Sequence, residues 1–327
     1  MRAIHFTEYG GPEVLQLVEA EVPEPGPGQV SIDVAYVGMN FADLKARAEG
    51  YRVPALPFVP GLEVSGRVRA LGEGVTGLAV GQEVAALTQD GAYVDVVVAD
   101  AVTVFPLPPG VDLRTSATLP TVLPTAYALI HTVGRLQPGE TVLVQGAAGG
   151  VGTVLGQLAS AAGAKAVYGV VSGAAKATYA RDHGYDEVFV TSSTSFAREV
   201  REATDGRGVD LALDPVGGET LRASLTSLAP FGRLVSFGNA SGAEPWQVGQ
   251  PDLYPLALSV SGFSILTLAQ TAPAELRALT ERAFRTVVDG VVSLPVTAEF
   301  GLAEAHEAHR LMGARTSTGK LLLRVGE

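Results

Sequence analysis

The chain contains no cysteine. That absence excludes disulfide staples, thiolate nucleophiles and thiolate-held zinc together, and it favours a cytoplasmic setting over an oxidising one. Charged residues are only 17% of the chain, and cations are the scarcer sign: 23 Lys and Arg against 34 Asp and Glu, a net charge of −11. A nucleic-acid partner needs a basic surface, so this balance argues against one. The N-terminal MRAIHFTEYGGPEVLQL has no apolar core of signal-peptide length. Residues 141–164 and 253–274 lack charge altogether, but the first stretch carries Gly-Ala-Ala-Gly-Gly-Val-Gly and the second is interrupted by Pro255, Gly262 and Pro273. Both read as buried elements of an α/β core rather than membrane spans.

What is plentiful is apolar residue (47%), glycine (39) and proline (20) over 327 residues, enough for about two turn-rich domains. The first hundred residues predict short strands, at 30–38, 64–72 and within 92–108, separated by Gly and Pro clusters such as Leu-Pro-Pro-Gly at 107–110. A helical stretch begins near 114. Strands at 141–146, 166–172, 186–191, 209–217 and 232–239 then alternate with helices at 151–163, 176–183, 196–206 and 219–230. That alternation calls for a doubly wound parallel sheet. Residues 275–292 and 302–316 predict amphipathic helices, and 319–325 a closing strand.

The chemistry-bearing motif is Gly146-Ala147-Ala148-Gly149-Gly150-Val151-Gly152, between a predicted strand and a predicted helix. Glycines there let backbone N–H groups approach a pyrophosphate at a helix N-terminus. A packing turn is the other reading of the same residues. The next strand ends Val171-Ser172-Gly173 with Lys176 following. No Asp or Glu stands there to bind ribose hydroxyls or repel a 2′-phosphate, so NADPH is expected over NADH.

The segment GETVLVQGAAGGVGTVLGQLAS (139–160) resembles the signature of the zinc-free quinone oxidoreductase and zeta-crystallin branch of the medium-chain dehydrogenase/reductase superfamily. The likeness runs through YGGPEVLQL (9–17), VGMNFADLKARAEGY (37–51), PGLEVSGRVRALGEGVTGLAVGQEV (60–84) and VSFGNASG (235–242). It implies an α/β fold in which a Rossmann doubly wound parallel sheet (118–268) is joined to a GroES-like β-rich domain built from both chain ends (1–117 and 269–327). It implies an active site in a cleft at the carboxyl ends of the parallel strands. Zinc-dependent members have a His where Leu62 stands, so no metal site is expected. The two histidines of His306-Glu307-Ala308-His309 read as surface residues.

The resemblance also assigns residues. Asn40 and Asp43 match a polar pair beside the nicotinamide, a helix-start cap being the lesser reading of Asp43. Lys45 replaces a family Tyr, and Tyr51 is a nearby aromatic; each is a candidate proton donor. Thr125 matches a threonine near the carboxamide, although it can equally face the core. Cofactor contacts are expected from Gly149, Gly150, Val151, Gly152, Ser172, Lys176, Phe237, Gly238 and Asn239, with Arg315 and Lys320 matching positions where relatives meet the cofactor phosphates, although either can equally be solvated. The implied activity is zinc-free hydride transfer from NADPH to a small-molecule acceptor: a quinone, an enone or an enoyl thioester. Enoyl reduction, or NADPH binding with little catalysis, are the alternatives. The apolar stretch 259–268 is expected to form an exposed strand edge that pairs two copies into a homodimer.

Overall fold

The computed structural model describes residues 1–107, 109–191, 194–245 and 247–326. Pro108, inside the predicted 92–108 strand and 107–110 turn, lies outside the described residues. Contacts divide the chain into two compact units. One comprises Met1–Val122, Leu266–Val288 and the residues from Leu294 onward; the other comprises Leu123–Ile265 and Asp289–Ser293.

The chain opens with an antiparallel hairpin of β1 (Arg2–His5) and β2 (Gln16–Glu19). The long β3 (Gln29–Gly38) pairs antiparallel with both β4 (Glu63–Leu71) and β6 (Val96–Asp100). β5 (Glu83–Leu87) lies between β4 and β7 (Val104–Pro106). Alternation along β3 and β4 buries Val30, Ile32, Val64 and Val68 in one core with Phe6, Tyr93 and Leu323. The only helix of this stretch longer than one turn, Phe41–Glu49, ends on Gly50 at φ 74°. Glycine adopts that left-handed cap without strain.

The second unit carries a six-stranded parallel sheet. Its strands are β8 (Thr141–Gln145), β9 (Ala166–Val171), β10 (Glu187–Val190), β11 (Val209–Asp214), β12 (Leu228–Ser236) and β13 (Ser259–Gly262). Their order is β10-β9-β8-β11-β12-β13. Winding therefore runs outward from β8 to one edge, then outward from β11 to the other. Ligands in such sheets bind at the carboxyl ends where the direction switches, here between β8 and β11.

β14 (Val296–Gly301) and β15 (Lys320–Arg324) return to the first unit, where β15 pairs with β3. Three sequence expectations are corrected. The strand predicted over 259–268 stops at Gly262, and Ile265–Thr271 is helical. The helix predicted to 292 ends at Val288, before Gly290 at φ 69°. The stretch from 114 is broken at Pro120 into a short turn, Leu113–Ser116, and a helix beginning at Val122, since proline disfavours helix in the residue before it. Among the described residues no helix is long and apolar enough to cross a membrane.

Candidate active site

In the sheet unit, β8 runs into a turn at Gly146 (φ 68°), and the helix Gly150–Ala161 starts after the extended Gly149. The first N–H groups of a helix have no partner within it, so this turn presents donors and a positive dipole end together. Gly152 cannot be anything larger. A Cβ there would stand 2.3 Å from Gly146 O and 2.7 Å from Ala147 O. Tyr185, fully buried, supports the turn by donating to Gly152 O at 2.6 Å. Its ring occupies the space that side chains at Gly156 and Gly169 would need.

β9 ends on Val171, and the helix Ala174–Arg181 follows the exposed Ser172 and the extended Gly173. Lys176 lies in its first turn, half-buried. Beyond β11, Asp214 accepts the N–H groups of Val216 (2.7 Å) and Gly217 (2.8 Å) and the Ser224 hydroxyl (3.0 Å). Burial pushes its carboxyl up, against the pull of those donors. Asp214 thus shapes the Pro-Val-Gly-Gly turn, and sequence reasoning missed it because no spacing marks it. Phe237, Gly238 and Asn239 follow β12. Phe237 N–H donates to Asp214 O at 2.9 Å, and a Cβ at Gly238 would meet Pro215 O at 2.7 Å. Asn239 donates to Ala243 O and accepts from the Ser241 hydroxyl, holding the loop closed on itself. Within this unit the expected residues 149–152, 172, 176 and 237–239 therefore follow the carboxyl ends of β8, β9 and β12, and the unforeseen Asp214 ends β11.

In the other unit, Asn40 is the N-cap of the helix Phe41–Glu49, and Asp43 is its third residue, accepting the Asn40 N–H at 2.8 Å. Asp43 is buried, and burial pushes its carboxyl up to about 7 despite that bond and the nearby Lys320. The Asn40 side chain donates to Glu63 Oε1 at 2.9 Å and accepts from Lys320 Nζ at 3.1 Å. Lys320 Nζ also meets Glu63 Oε1 at 2.5 Å and Met39 O at 2.6 Å. Glu63 Oε2 in turn accepts the Thr121 N–H at 2.8 Å. Lys45 pairs with Glu49 one turn along, at 2.7 Å. Tyr51, exposed, lines a recess of about 20 Å³ with Asp43, Arg52 and Leu62.

Two family models match the chain: an alcohol dehydrogenase GroES-like domain over residues 26–109 and a zinc-binding dehydrogenase over 150–289. A quinone oxidoreductase of Pseudomonas aeruginosa is 37% identical, over 98% of this chain and 99% of that protein. The chain belongs to the quinone oxidoreductase branch of the medium-chain dehydrogenase/reductase family. The crystal structure of the Escherichia coli quinone oxidoreductase complexed with NADPH superposes with a TM-score of 0.92, at 32% identity, covering 99% of this chain and 100% of that one. A mycocerosic acid synthase-like polyketide synthase of Mycolicibacterium smegmatis is 32% identical over 96% of this chain, which spans 15% of that protein's length.

This member of the quinone oxidoreductase branch departs from its sequence reading at two residues. Lys320 does not present its ammonium to a cofactor phosphate: it is 3% exposed and all three described acceptors lie in the first unit. His309 is not a surface residue but fully buried, while its neighbour His306 is half-buried. Arg315 is exposed, at φ 56°. Thr125 is buried at 7% exposure. The zinc named in the matching family model does not fit the donors present. Leu62 carries no ligand atom, the Glu63 carboxylate is neutralised by Lys320, and no group of three His, Asp or Glu comes together among the described residues.

Proposed function

We propose that this chain transfers hydride from NADPH to a quinone or another electron-poor conjugated acceptor without a zinc ion. The observation that carries the cofactor choice is the end of β9, where Ser172 and Gly173 stand in place of an acid and Lys176 follows in the first helical turn. The glycine turn at 146–152 offers the pyrophosphate its donors, and the NADPH complex of the Escherichia coli relative supports the same reading. NADPH, when bound, supplies the hydride. The chain's own residues bind and orient the reactants, which accounts for much of such catalysis. With Leu62 and a neutralised Glu63 in place of a Lewis-acid site, the acceptor itself must take the incoming charge. A quinone does so by aromatising, and an enone or enoyl thioester by forming an enolate. Similarity to a segment of the polyketide synthase favours the enoyl thioester as a second reading.

The test is NADPH oxidation against quinones, enones and enoyl thioesters. Turnover with quinones supports the reading, and turnover confined to enoyl thioesters selects the second. NADPH binding without turnover in all three classes overturns both. We also propose a cytoplasmic homodimer. β13 is the edge strand, with Ser259, Ser261 and Gly262 exposed, and the nearby Tyr254 is 69% exposed. Such an edge favours pairing with a second copy. A light-scattering mass of one chain at micromolar concentration refutes it.

A further inference from the structure

The helix Phe41–Glu49 needs only a cap from Asp43, yet the carboxyl is tied into a longer chain of bonds. Asp43 Oδ2 accepts both the Asn40 N–H and the Tyr93 hydroxyl, the latter at 3.3 Å. The same hydroxyl lies 3.0 Å from His309 Nε2, and the two rings meet edge-on at 5.7 Å. Tyr93 and His309 are fully buried. His309 Nδ1 has no hydrogen-bond partner. A buried N–H left unpaired costs more than an unfilled lone pair, so the ring proton belongs on Nε2. His309 then donates to Tyr93, and Tyr93 donates to Asp43. With Oδ2 holding two donors, Oδ1 is the oxygen left to carry a proton.

Asp43 also borders a recess. Asp43 lines a space of about 20 Å³ with Tyr51, Arg52, Leu62 and Asp90, room for about one water. Tyr51 and Arg52 at its rim are exposed. Acid chemistry at this position rests on the hydride-transfer reading above.

We propose that Asp43 is the proton donor to the reduced acceptor, with Tyr93 and His309 as positioning residues that hold its proton on Oδ1. The acceptor gains two electrons and a hydrogen as hydride from NADPH and becomes a hydroquinone anion or enolate. The Asp43 O–H bond breaks, directly or through one water, and a new O–H or C–H bond forms on the acceptor. The carboxylate then regains a proton from solvent at the recess.

The surrounding charges are compatible with an acid that works near neutrality. Lys320 from β15 and Glu63 from β4 act on Asp43 in opposite directions and are bonded to each other. Arg47, on the same helix, and His309 face Tyr93, and His309 is held neutral, its imidazole lowered to about 3 by burial. Arg52 and Asp90 share the recess. Burial dominates, and it raises the carboxyl to about 7.

The test uses the full chain and whichever acceptor class turns over. Wild-type kcat should fall above about pH 7. Asp43→Asn keeps the capping oxygen and should lower kcat roughly 100-fold, flatten that limb and leave NADPH affinity unchanged. Tyr93→Phe removes a bond that stabilises the carboxylate, so its limb should move to higher pH. Infrared titration provides a readout without turnover: a protonated carboxyl band present at pH 6, lost by pH 9 and absent from Asp43→Asn. Wild-type kcat and limb retained in Asp43→Asn, an unmoved limb in Tyr93→Phe, or no such band would overturn the proposal. A wild-type chain that oxidises NADPH with no acceptor refutes the hydride-transfer reading instead, and the infrared band still reports on Asp43.

Discussion

Replacing Lys320 by Met should be the most costly single change at the site. The ammonium is 3% exposed and donates to Glu63 Oε1, Met39 O and Asn40 Oδ1. Met fills similar volume but donates nothing. Glu63, with no exposed surface, would keep only the Asn40 and Thr121 donors for a full negative charge. Stranding one partner of a buried pair costs about 3–5 kcal/mol. At about 2–4 °C per kcal/mol for a unit of this size, melting should fall by roughly 6–20 °C. Glu63→Gln should be milder, about 1–3 kcal/mol, because the ammonium retains Met39 O and Asn40 Oδ1. Circular-dichroism melts and urea titrations of the three proteins measure both. The reasoning is refuted if Lys320→Met loses less than about 1 kcal/mol, the range of a solvated surface pair, or if Glu63→Gln proves the worse of the two.

Lys176→Ala should weaken NADPH binding about ten- to a hundredfold while sparing NADH, the loss of one charge-assisted bond; calorimetry with both cofactors checks it, and equal losses count against the assignment. Gly152→Ala forces a Cβ against Gly146 O and Ala147 O, so it should cost about 1–3 kcal/mol and displace the turn, read as reduced stability together with lost NADPH binding. Asp43 holds its proton more tightly folded, at about 7, than unfolded, near 3.9. Its contribution is full below about pH 4 and is lost as pH rises to about 7. Asp43→Asn should therefore gain on wild type by about 3 kcal/mol between pH 5 and pH 8, measured by parallel denaturation. His309 has the opposite sign: its imidazole, lowered to about 3, supports the fold above about pH 6.5 and withdraws that support as pH falls. His309→Gln should flatten the acid side of the stability curve.

Local pattern alone determined the parallel-sheet unit. Strand and helix alternate with their own periodicities, and the glycine turn lies in consecutive residues, so Gly146 to Gly152 and the acid-free end of β9 were readable before any contact was known. The edge strand was half legible. Apolar, β-prone text runs from 259 to 268, but only packing against β12 decides that it is extended as far as Gly262 and helical from Ile265. Of the polar interior of the first unit only the Asn40 and Asp43 pair was legible. Lys320 meets Glu63 across 257 residues of sequence, and Tyr93 meets His309 across 216. A lysine in a closing strand and a histidine on an amphipathic helix look like surface residues until topology brings a buried partner to each. Burial then changes their chemistry, taking a phosphate contact away from Lys320 and making an acid of Asp43, because charge inside a protein is governed by neighbours distant in sequence.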